Sequence, residues 1–149
     1  MRTLVVYESM YGNTRQVADA VAEGLSATGD GMDVEVTEVG SAPTEVTAEL
    51  LVVGAPTHAF TLSRPETRQA AADPITDGQE LVSPGIGLRE WLDQVQVPEG
   101  TAAAVFTTRV RRPPLPAFTG RSARHKLQGH GCQLVTRPET FYVSGTPGP

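Results

Sequence analysis

The chain has 149 residues, 17 acidic and 12 basic, for a formal charge of −5. With 39 % hydrophobic residues it is not a disordered acidic chain, and with no run of 18 apolar residues it offers no helix for a bilayer. Its one cysteine, Cys132, excludes an intramolecular disulfide and a cysteine zinc site, and the length predicts one domain over 1–149.

The charge is unevenly spread. Residues 1–100 hold sixteen acids and five bases, a net of −11, while residues 101–149 hold one acid and seven bases, a net of +6. Six of those bases fall between Arg109 and Lys126. Local charge of this kind selects ligands and partners.

Leu4-Val5-Val6 opens the chain as an uninterrupted apolar run, and the helical stripe Val17, Ala18, Val21, Ala22, Leu25 follows, with Gly29 as its natural stop. Val34-Glu35-Val36 alternates, as an edge strand does. A short helix is expected over 44–49. Leu50-Leu51-Val52-Val53 is a second buried run, and the capping-box spacing Ser63-Arg64-Pro65-Glu66 predicts a helix through Ala72. Residues 73–87 read as an irregular insertion. Leu88, Trp91, Leu92 and Val95 form a further stripe. Ala102 to Phe106 is a third buried run, 119–128 a last helix, and Leu134-Val135 with Phe141-Tyr142-Val143 a fifth strand region broken at Pro138. Continuous apolar strands alternating with helices imply a parallel α/β sheet covered on both faces.

The first strand runs into Glu8-Ser9-Met10-Tyr11-Gly12-Asn13-Thr14, where a helix begins. A helix N-terminus presents unbonded N–H groups and a positive dipole end, which suit a phosphate. Ser9, Asn13 and Thr14 add neutral donors, and Gly12 permits a tight turn. The same residues equally suit a plain helix cap. The triphosphate-loop pattern is absent. Gly85-Ile86-Gly87 begins a dinucleotide fingerprint but meets Glu90 where the third glycine belongs. A phospho-receiver would need Asp where Gly54 ends the third strand, and a cysteine phosphatase would need Arg where Pro138 stands.

Leu4 to Thr14 with the following helix resembles the opening of a flavodoxin, and Gly54-Ala55-Pro56-Thr57-His58 resembles that family's second flavin loop. Thr107-Thr108-Arg109 stands in the place of the third. The resemblance implies a three-layer sandwich with a five-stranded parallel sheet of order 2-1-3-4-5, and FMN bound where the loops after the first and third strands meet. It implies that Ser9, Gly12, Asn13 and Thr14 hold the phosphate, with backbone N–H groups from Met10 and Tyr11. Pro56, Thr57, His58, Ala59 and Phe60 would line one side of the ring, Thr107, Thr108 and Arg109 the other, with Arg112 near it.

Two departures stand out. The third loop reads Arg109-Val110-Arg111-Arg112-Pro113-Pro114, whereas flavodoxins are acidic around the flavin; guanidiniums there would favour an anionic reduced ring. The family's closing helix has no counterpart in Ser144 to Pro149, so either the sequence is shortened there or another subunit, as in a homodimer, is expected to cover the exposed sheet face. The expectation is an FMN-binding electron-transfer protein in the cytoplasm, serving a redox partner protein or a small electron acceptor, with no nucleic acid, membrane or metal. The alternatives are an FMN-dependent quinone or protoporphyrinogen-type reductase, and a binding module with a degenerate flavin site and a basic docking loop.

Overall fold

A computed structural model describes residues 1–9, 12–28, 31–57, 62–63, 86–110 and 119–143. Its strands are β1 (Arg2–Tyr7), β2 (Asp33–Glu38), β3 (Leu50–Pro56), β4 (Ala102–Val110), β5 (Gln133–Leu134) and β6 (Glu139–Val143). Its helices are α1 (Asn13–Ser26), α2 (Leu88–Gln94) and α3 (Thr119–Gly129). All strand pairings are parallel and run β2-β1-β3-β4-β5, with β6 also on β4. β5 pairs Ala102 and Ala103 while β6 pairs Phe106 to Val110, so the two share the fifth position as one interrupted strand. Pro138 sits just before β6, where its missing N–H would break the ladder. The order is the expected 2-1-3-4-5.

The apolar runs explain the layers. Val5 and Val52 point to one face with Phe106 and pack under α1 through Ala18, Val17 and Val21. Leu4, Val6, Leu51, Val53, Ala103 and Val105 point to the other and meet α2 and α3 through Trp91, Leu92, Ala123 and Leu127. Burying each large apolar side chain in that interior contributes roughly 1.5–3 kcal/mol. β2 alternates exposed and half-buried positions over Asp33 to Val36 at the sheet edge, as its sequence does, and stays half-buried through Glu38. Beyond β4 the α1 side thins out: a groove of about 360 Å³ lies between α1 and β6, with Phe141 on its wall. That ring is 37 % exposed and meets Phe106 edge-on at 6.3 Å between centroids.

The helix expected over 44–49 is not formed. That segment is an extended link in which Val46 N–H donates to the Gln96 carbonyl at 2.8 Å and Gln96 N–H donates to Thr44 at 2.7 Å. These bonds satisfy backbone groups that a helix would have paired locally, and they seat Val46 in the core. The one short helical turn in this region is a 3₁₀ turn, Val39–Ser41. α1 ends at Ser26 rather than running to Gly29, which lies outside the described residues, as do 64–72 and 144–149. The expectations of a helix over 63–72 and of a missing final helix therefore fall outside them too.

α2 is anchored from both sides. Glu90 stands where a fingerprint glycine would, and its carboxylate accepts from Gly87 N–H at 3.1 Å, closing the first turn. Trp91 is fully buried and donates through Nε1 to the Pro43 carbonyl at 3.1 Å. Lys126 of α3 pairs with Asp93, and the His130 ring bonds the Leu92 carbonyl, tying α3 to α2.

Candidate functional site at the carboxyl edge of the sheet

The chain leaves β1 toward β2 on one side and returns to β3 on the other, so the loops after β1 and β3 diverge at the carboxyl edge. Such a switch point opens a crevice for a ligand. Three segments converge there. Thr14 Oγ1 and Thr108 Oγ1 lie 2.8 Å apart, joining the start of α1 to the end of β4. Thr57 N–H donates to the Thr108 carbonyl at 2.9 Å, continuing the β3–β4 ladder past Pro56. Glu8 N–H donates to the Gly54 carbonyl at 2.9 Å, holding β1 and β3 together at their exits.

The turn into α1 is built from Ser9 and Gly12. Ser9 is buried and its hydroxyl accepts from Gly12 N–H at 3.0 Å. Gly12 has φ 94°, a left-handed conformation that a Cβ would strain. It occupies the N-cap position, where it has no side chain to offer, and no acidic residue stands in the first turn of α1. The positive end of this 14-residue helix thus gets no cap from the side chain of its own N-cap residue and no acid from its first turn. Asn13 is half-buried and Thr14 buried at that end. This donor set fits a phosphate: neutral N–H groups, a dipole, and no competing anion.

Two residues position this edge although sequence reasoning gave them no role. Glu8 is fully buried, and its carboxylate accepts from Leu88 N–H at 2.6 Å, fixing the start of α2 against the exit of β1. Gly54 lies opposite Phe106 in the strand register, and an added Cβ would fall 1.9 Å from that ring. A charged residue directly after an apolar run is a signal for Glu8; nothing local signals Gly54, because its partner is in another strand.

Of the residues assigned to a flavin, the described structure brings Ser9, Gly12, Asn13, Thr14, Pro56, Thr57, Thr107, Thr108 and Arg109 to this edge. Met10, Tyr11, His58, Ala59, Phe60 and Arg112 lie outside the described residues. Along β4 the side chains alternate. Thr108 faces α1, whereas Thr107 bonds Thr140 of β6 at 3.3 Å on the α3 side, and half-buried Arg109 lies next along that side. Thr119, at the start of α3, donates to the Thr57 hydroxyl at 3.1 Å. Burial raises Tyr7 above its ordinary value, Arg15 opposing and Asp19 and Glu38 adding. Burial likewise raises Cys132.

The flavodoxin sequence profile matches residues 5–72. In structure the chain is similar to oxidised flavodoxin 1 from Bacillus cereus, with TM-score 0.69 and 19 % identity over 98 % of this chain and 87 % of that one. It is similar to a flavodoxin from Streptococcus pneumoniae TIGR4, with TM-score 0.68, 18 % identity and coverage of 98 % and 88 %. Rubredoxin:oxygen oxidoreductase from Desulfovibrio gigas matches with TM-score 0.59 and 15 % identity over 97 % of this chain and 31 % of that one. No curated protein matches the sequence. At these identities the structural likeness shows the fold.

Proposed function

We infer that this flavodoxin-family chain binds FMN at the carboxyl edge of its sheet and serves as an electron-transfer protein. The observation that carries the reading is the N-terminus of α1, turned by a left-handed Gly12 that brings no capping side chain, with no acid in the first turn. It stands within the segment that the family profile covers.

In this reading Ser9, Gly12, Asn13 and Thr14 hold the phosphate, helped by backbone N–H groups of Met10 and Tyr11. The hydroxyls of Ser9 and Thr14 also shape the site, one bonding Gly12 N–H and the other lying 2.8 Å from Thr108 Oγ1. Pro56 and Thr57, with His58, Ala59 and Phe60, line one side of the ring. Thr107, Thr108 and Arg109 line the other, with Arg112 nearby. FMN supplies reversible one- and two-electron transfer, and the protein tunes it. Arg109 brings positive charge to an edge where a carboxylate would resist reduction.

Titrating FMN fluorescence with the purified chain tests this. Quenching that saturates at one flavin per chain, with micromolar or tighter affinity, is expected. Unquenched fluorescence at high protein concentration contradicts it.

A further inference from the structure

Beside the flavin edge, on the α3 side of the sheet, lies a cleft of about 350 Å³. Four guanidiniums line it, and they come from three separate parts of the chain. Arg109 ends β4, Arg121 and Arg124 lie in the first two turns of α3, and Arg137 sits in the break between β5 and β6. Among the described residues lining the cleft none is acidic. Arg121, Arg124 and Arg137 are exposed and reach it on long flexible side chains. The hydroxyls of Thr119 and Thr140 add neutral donors at the wall.

We propose that this cleft binds a small polyanion carrying paired phosphate or carboxylate groups. Guanidiniums that converge on one concavity from three parts of the chain can bind a single small anion together. Guanidiniums suit oxyanions because each offers two parallel N–H bonds. The packing is close where the cleft begins: a Cβ on Gly120 would fall 2.7 Å from Pro138 and 3.7 Å from Thr107, so α3 opens directly against the strands. The charge pattern sets the size of the ligand. A chain of net charge −5, with −11 on residues 1–100, repels a long polyanion such as nucleic acid. A diphosphate or a tricarboxylate, by contrast, is small enough to engage only the arginines and hydroxyls that line the cleft. Arg109 also belongs to the proposed flavin site, so in the holoprotein this anion would lie next to the ring. That adjacency rests on the FMN reading; the cleft itself does not.

The test is calorimetric titration of pyrophosphate, and separately of citrate, into the full chain with and without FMN at low ionic strength. One anion per chain is expected, bound about ten-fold more weakly by R124A/R137A, while FMN affinity stays within about two-fold of the parent. Neither Arg124 nor Arg137 is placed at the flavin, and both are exposed, so the variant keeps its core. Binding of either anion that R124A/R137A weakens supports the site, and the tighter of the two names the preferred group. No heat from either anion, or heat unchanged in R124A/R137A, overturns it. A chain that binds pyrophosphate but not FMN overturns the function proposed above and leaves the cleft standing.

Discussion

Gly54 shows how one residue's identity is set by a neighbour in another strand. The Phe106 ring occupies the volume a side chain would need, 1.9 Å from the position of a Cβ. Gly54→Ala is therefore expected to cost about 1–3 kcal/mol, read as a lowered urea midpoint with unchanged slope. An unshifted midpoint would mean the ring moves aside without penalty. Arg109 makes the electrical counterpart. A unit charge beside a partly exposed ring is worth on the order of 1 kcal/mol, or about 40 mV for one electron. Arg109→Ala should make the potential of bound FMN more negative by roughly that amount, and an unchanged potential would place the guanidinium out of electrical reach. At this scale the tight turn into α1 was legible, because Ser9 and Gly12 bond across three positions. The Glu8 contact with Leu88 was not, since it spans 80 positions along the chain.

Among the elements, the buried strands declared themselves by unbroken apolar runs, and α1 and α2 by their stripes. The failure at 44–49 has a plain cause. Its local pattern tolerates a helix, but Gln96 offers it a pair of backbone bonds and Trp91 ties the preceding Pro43 in place. Tertiary contacts outweigh a weak local preference. The same contacts make Trp91 the keystone of this layer. Trp91→Ala should lose about 3–5 kcal/mol in chemical denaturation. Trp91→Phe should lose less, keeping much of the buried area but forfeiting the bond to Pro43. Equal losses in the two variants would show that the hydrogen bond, not the packed area, dominates.

For the molecule as a whole, the charge split acquires a location. The acidic two-thirds builds β1 to β3, α1 and α2, and includes the turn into α1, whose donors are neutral. The basic remainder supplies β4, α3 and the break before β6, where four arginines surround one cleft. Sequence order revealed the split, but only the fold brings Arg137 beside Arg109 and Arg121. Global stability has its own pH signature. Tyr7 and Cys132 are both raised above their ordinary values, near 10 and 9, chiefly by burial. The folded state then holds these protons more tightly than the unfolded chain does. Their contribution is complete below about pH 9 and is lost as pH rises above it toward the folded-state values. Urea midpoints should therefore fall from pH 8.5 to about 10.5. A rise over that window would reverse the assigned direction.

The proposed function requires the N-terminus of α1 to hold the phosphate of FMN. Riboflavin carries the same ring without that group, so comparing the two ligands by fluorescence titration isolates the contact. FMN should bind about 100-fold more tightly than riboflavin, a difference of about 2.7 kcal/mol, with most of the preference lost in Gly12→Val. Equal affinities for FMN and riboflavin would contradict the account.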